Sequence, residues 1–99
     1  MFWNSSVTNA KIDQVVLEHL ESHIYSPVRE NGIVLQTDPR VLDWIEPMLV
    51  SLKQWADTNE LGKWKRSRIM GDLEMAYKEM GLRGERLKMI NRRTTDLIW

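Results

Sequence analysis

The sequence predicts an all-α fold, a small single-domain bundle of four to five helices over residues 1–99 with a kinked central helix. Three observations point to it. Apolar side chains recur at three- and four-residue intervals along most of the chain, the spacing that lays one stripe down a helix. Most of the Gly and Pro residues fall at the edges of those stretches and divide them into segments of helical length. The 99 residues, 42% hydrophobic and 28% charged, suit one modest core and leave too little chain for a large catalytic cavity.

The first helix is expected over residues 9–25, where Ile12, Val15, Val16, Leu20 and Ile24 share a face, and Pro27 is expected to stop it. Within it, His19 and His23 stand four apart in "HLESH", but Leu replaces the Glu of the zinc-protease motif. Two helix-surface histidines are expected and no metal. In "PVRENGIVLQ", Asn31-Gly32 between Val28 and Ile33-Val34-Leu35 favours a type I′ turn, so residues 28–35 are read either as a small β-hairpin or as a plain loop.

Asp38-Pro39 suits a helix start, the Asp oxygen accepting a free N–H and Pro occupying a first-turn position. Val41, Leu42, Ile45, Met48, Leu49, Leu52, Trp55 and Ala56 then hold one stripe for four turns and define the central helix. Pro47 lies inside the stripe and should kink the helix without ending it. Gly62 and Gly71 interrupt the helical pattern of the C-terminal part. The reading is a short basic helix near 60–69, a helix near 72–80, and a last helix near 83–93.

Absence of cysteine excludes disulfides, thiolate metal sites and a cysteine nucleophile. The N-terminal "MFWNSSVTNAKIDQ" lacks the apolar core of a signal peptide, and no stretch reaches the length of a membrane span. A cytoplasmic protein without membrane contact is expected. No nucleophile motif, glycine-rich phosphate loop or paired-carboxylate signature stands out, so neither catalysis nor a cofactor is expected.

The formal charge is zero but unevenly placed: residues 1–52 carry a balance of −4 and residues 53–93 a balance of +5. The basic half holds two constellations. In "KWKRSR", Lys63, Lys65, Arg66 and Arg68 could grip phosphates while Trp64 stacks on a base; alternatively Trp64, three residues after Leu61, belongs to the core. In "AYKEMGLRGERLKMINRR", Lys78-Glu79-Met80-Gly81-Leu82 is followed by Leu87 and by the basic residues Arg83, Arg86, Lys88, Arg92 and Arg93.

This second frame, residues 76–93, resembles the helix-turn-helix of the Fis family of nucleoid proteins. The resemblance implies a C-terminal helix-turn-helix-like pair in which Gly81 makes the turn, Leu82 and Leu87 pin the second helix, and its outer face enters the major groove of duplex DNA. Tyr77 stands where that family carries a small residue, and Gly84-Glu85 open the expected reading helix.

Five tryptophans are many for so small a core. Trp3, Trp44 and Trp99 lie off the central stripe or at the termini and are candidate anchors of a protein interface. Two functions are compatible with these features. One is a small DNA-binding regulator or architectural protein, in one version a homodimer, using Lys63, Trp64, Lys65, Arg66, Arg68, Arg83, Arg86, Lys88, Arg92 and Arg93. The other is a protein-binding module, such as an inhibitor or adaptor of a larger host enzyme.

Overall fold

The structure, a computed structural model, describes residues 6–99 and is entirely helical between its turns. Trp3 lies outside the described residues. The first rod is built from α1 (Asn9–Leu20), a π-helical turn (Glu21–Tyr25) and α2 (Ser26–Asn31), which follow one another without a break. Thr8 starts it, its hydroxyl accepting from the Lys11 N–H at 3.1 Å.

Contrary to expectation, Pro27 does not end this helix. A proline lacks the N–H for the carbonyl four residues back and its ring collides with that carbonyl. Here the widened π turn lies immediately ahead of Pro27, and the Ser26 N–H reaches back to Glu21. The rod therefore continues to Asn31. Gly32 caps it at φ +65°, its N–H donating to the Val28 carbonyl at 2.9 Å. The hairpin reading of residues 28–35 is thus corrected, since Asn31-Gly32 closes a helix and no strand occurs among the described residues.

The remaining rods are α3 (Val41–Thr58), α4 (Lys63–Glu79) and α5 (Gly84–Ile98). Asp38 organises the approach to α3, its carboxylate accepting from the Arg40 N–H at 2.8 Å. The apolar stripe of α3 is the centre of the core: Val41, Ile45, Met48, Leu49, Leu52 and Ala56 are all buried. Pro47 sits inside α3 on its exposed side, and the helix runs on past it.

The break expected at Gly71 is absent. α4 passes through it as one helix of 17 residues, because Ile69, Leu73, Ala76 and Tyr77 on either side are buried together and their packing outweighs the weak helix preference of a single glycine. α3 and α4 end in the same left-handed turn. Glu60 (φ +54°) and Gly81 (φ +91°) occupy equivalent places, and the next N–H, from Leu61 or Leu82, reaches back to Ala56 or Tyr77 at 3.0 Å. Both leucines are buried.

Side-chain pairs give the directions of the rods. Asp13 meets Arg68 near the start of α1 and α4, and Tyr25 of the following π turn lies by Glu79 at the end of α4, so the first rod and α4 run side by side in the same sense. Glu46 with Arg93 and Lys53 with Ile98 make α3 and α5 parallel to each other. Glu74 with Asn91 and Arg66 with Ile98 show α5 returning antiparallel along the length of α4.

That last relation differs from the helix-turn-helix expectation, in which two helices meet at roughly 90–120°. Tyr77 supplies the reason. Its ring is buried between α4 and α5, where a small residue would allow a close crossing, and its hydroxyl lies 3.0 Å from that of Thr94. Thr94 donates to the Ile90 carbonyl at 2.8 Å, so Tyr77 donates to Thr94. Burial raises the Tyr77 pKa to about 12, against the weaker opposing effect of Thr94.

Candidate interaction surface

Most of the cations proposed for nucleic acid are occupied within the chain. Arg66 donates to the carbonyls of Leu61 (2.8 Å) and Ile98 (2.9 Å) and to Asp57 (2.8 Å), clasping the turn before α4 to the end of α5. Arg68 makes a two-pronged bond to Asp13 at 2.9 and 2.7 Å. Arg86 turns inward and donates to the carbonyls of Leu35 (2.9 Å) and Asp38. Arg93 donates to Glu46 at 2.9 Å.

Two of these contacts, Arg68 with Asp13 and Arg93 with Glu46, join the basic second half to the acidic first half across helix interfaces. Lys88 adds an exposed pair with Glu85 at 3.2 Å, and the Arg83 guanidinium reaches only its neighbour Gly81 at 3.4 Å. Lys63, Lys65 and Arg92 have no hydrogen-bond or ion-pair partner among the described residues.

The tryptophans divide as well. Trp64 is 87% exposed, so the core reading of it is corrected. Leu61 precedes the first residue of α4, and the three-residue spacing between them is not helical spacing. Trp44 packs half-buried against the core with Arg40 6.0 Å from its ring, and its indole N–H is buried without a partner among the described residues. Trp99 is about half exposed at the end of α5.

The most open apolar surface lies on α1 and α4. Trp64, Met75 (63% exposed) and Leu17 (57%) are the largest hydrophobic side chains offered to solvent there. At 100° per residue, Trp64, Arg68, Gly71, Met75 and Glu79 fall on one face of α4, and all are exposed. Beside that face, Val16, Leu17, Leu20, Tyr25, Met75 and Ala76 form a shallow groove of about 260 Å³ between α1 and α4. Its rim carries Asp13, Asp72 and Glu79.

Asp13 and Asp72 form a carboxyl pair across the two helices. Arg68, directly bonded to Asp13, holds that carboxyl well below the usual carboxylate range. Burial, then the hydrogen bond and charge of Asp13, pushes Asp72 up to about 6. Asp72 is the more buried of the two, and its Oδ2 has no hydrogen-bond partner among the described residues. A second, larger depression of about 530 Å³ follows Leu42, Asp43, Glu46, Pro47, Val50, Ser51 and Gln54 along α3 alone, and no second helix walls it.

α5 presents a different outer face. Glu85, Lys88, Met89, Arg92 and Asp96 are exposed along it, two acids against two bases around one methionine. His19 of α1 and His23 of the π turn stack with ring centres 6.1 Å apart. His19 donates through Nδ1 to the Val15 carbonyl at 2.8 Å, leaving Nε2 to accept from the Ser51 hydroxyl at 2.9 Å, so both nitrogens are engaged. Burial, then the neighbouring His19, lowers the pKa of His23.

Among the described residues there is no group of three or more metal-ligating side chains, and no helix is long and apolar enough to cross a membrane. Sequence reasoning missed Leu17, Met75 and the Asp13–Asp72 pair. The two apolar residues did leave a signal, since each stands off the buried stripe of its own helix. The two aspartates left none, because only the packing of α1 on α4 joins them. No protein-family model, curated protein or solved structure matches this chain.

Proposed function

We propose that this chain is a protein-binding module whose recognition surface is the outer face of α1 and α4. The observation that carries the reading is the exposure of Trp64, Met75 and Leu17 on that face, next to a groove whose floor is apolar and whose rim is acidic. Isolated apolar residues on a surface need no explanation, but Leu17 and Met75 line one apolar groove and Trp64 extends the same face of α4 about 16 Å further along the helix, which together mark an interaction site. The partner surface this geometry suits inserts an apolar side chain between Leu17 and Met75 and brings a cation to Asp72 and Glu79.

DNA reading by an α4–α5 helix-turn-helix is the second proposal, and Lys63, Lys65 and Arg92, free of internal partners among the described residues, favour it. Three features weigh against it. Arg86, the side chain best placed in sequence to read a base, is spent on two backbone carbonyls. Glu85 lies exposed at the start of α5, where a carboxylate repels phosphate. The outer face of α5 also has no net charge.

A photo-crosslinking residue placed at Met75, with Met89 as the control, separates the two proposals in cells. Docking through α1 and α4 gives a saturable, nuclease-resistant protein adduct from position 75 that Leu17→Glu abolishes, and none from position 89. Nucleic-acid adducts from position 89, with none from position 75, overturn the reading in favour of DNA.

A further inference from the structure

We infer that the outer face of α4 binds a second copy of this chain, the two α4 helices crossing antiparallel about a two-fold axis at Gly71. This deepens the docking reading above and rests on it.

Gly71 is the first observation. A glycine inside a helix destabilises it relative to alanine. Gly71 has no left-handed φ that would require it, and a Cβ built there meets nothing within 4 Å. The fold of one chain thus gives no steric reason for glycine at the centre of the exposed face of α4. A helix crossing at that point gives one, because the missing side chain lets a second backbone approach closely.

Charge supplies the second observation. Lys63 and Glu79 are both exposed, carry opposite charges and have no ion-pair partner among the described residues. Each stands eight positions from Gly71, one on either side. Within one chain they are about 24 Å apart along the helix axis and cannot meet. A two-fold axis through Gly71 sets Lys63 opposite Glu79 of the second copy, and Glu79 opposite Lys63.

The same operator places Trp64 against Lys78 and, within a helical turn, Met75 of the second copy. That arrangement covers the most exposed indole with a methionine side chain and a cation above its ring. The contact is isologous, so it closes at two copies and does not propagate into filaments. One crossing helix pair is a small interface, and weak, reversible association is expected.

The test uses the full chain in sedimentation velocity over a concentration series reaching the millimolar range. A monomer–dimer equilibrium is expected. Lys63→Glu and Glu79→Lys should each weaken association about fivefold, since each dimer contains the pair twice, and the double variant should restore it. Gly71→Cys should oxidise to a covalent dimer in this otherwise cysteine-free chain, whereas Gln54→Cys on the outer side of α3 should not.

A chain that stays monomeric throughout, or a double variant as weak as either single one, overturns the inference. If it stays monomeric while the Leu17-dependent adduct at Met75 contains another protein, only self-association falls and the docking reading stands. If that adduct is also missing, both fall.

Discussion

α4 and α5 are neighbouring helices of 17 and 15 residues, both rich in charge, yet their cations serve different ends. Two of the three arginines of α5 are spent inside the molecule: Arg86 ties the connection before α3 to the start of α5, and Arg93 ties α5 to Glu46, while Arg92 stays on the outer face. On α4, Arg66 and Arg68 are tied in the same way, but Lys63, Trp64 and Met75 are left to solvent and the half-buried Lys65 has no partner among the described residues. A guanidinium satisfies several acceptors from one fixed plane, which makes it a good internal clamp. A count of basic residues therefore overstates the positive surface, and on α4 the exposed Lys63, Trp64 and Met75 mark the free face.

The largest effect that tests this contrast is the loss of an internal clamp. Arg86→Met should lower unfolding stability by about 2 kcal/mol, because it strips a charged donor from two carbonyls. Lys63→Met should stay within about 0.5 kcal/mol of the parent. Urea titration of both variants checks the pair. A small loss at Arg86 would return that side chain to the set free to bind a ligand.

Next in size is the spacer between the two helices. Thr94→Val leaves the buried Tyr77 hydroxyl without an acceptor and should cost about 1–2 kcal/mol. Tyr77→Phe removes the hydroxyl but leaves Thr94 bonded to Ile90, and should cost less, about 1 kcal/mol. The order of the two losses is the diagnostic result. Reversal would mean that Tyr77 is held by something other than Thr94.

The carboxyl pair at the groove rim gives a pH signature. Burial and the neighbouring Asp13 push Asp72 up to about 6 from an ordinary 3.8, so between those values the folded state is expected to hold a proton that the unfolded state has released. Its contribution is complete below 3.8, falls as pH rises, and is gone above about 6. Asp72→Asn should flatten this part of the stability profile. With the group partly exposed, the gain at neutral pH is about 1 kcal/mol. Thermal melts across the acid range measure it, and an unchanged slope would separate Asp72 from Asp13.

Smallest is the glycine. At concentrations low enough to keep the chain monomeric, Gly71→Ala should raise stability by roughly 0.5–1 kcal/mol through helix propensity alone. A loss of stability there would give Gly71 a role within one chain, contrary to the open space around it.

The sequence pattern made the core of this fold legible, with the α3 stripe from Val41 to Ala56 the clearest case. Single breakers misled. Pro27 and Gly71 both lie within continuous helical rods, because a π turn ahead of the proline and buried neighbours around the glycine outweigh their local preferences. Asn31-Gly32 is ambiguous for a physical reason: tolerance of positive φ serves a hairpin turn and a helix end equally.

For the candidate site, the exposed lysines and Trp64 are in view from local sequence. Their meaning is not, since the status of Arg68, Arg86 and Arg93 depends on Asp13, the carbonyls of Leu35 and Asp38, and Glu46, all distant in the chain. The +5 half resembles a DNA surface only while those partners are left out of account.

Met75 and Met89 report on the two faces from within one molecule. Methyl NMR of the methionines across a concentration series, and then with duplex DNA added, compares them in a single sample. Recognition of a second copy through the outer face of α4 predicts that the Met75 methyl shifts as protein concentration rises, that Met89 holds still, and that DNA moves neither. A Met89 methyl that moves on adding DNA while Met75 stays fixed at every concentration would contradict it.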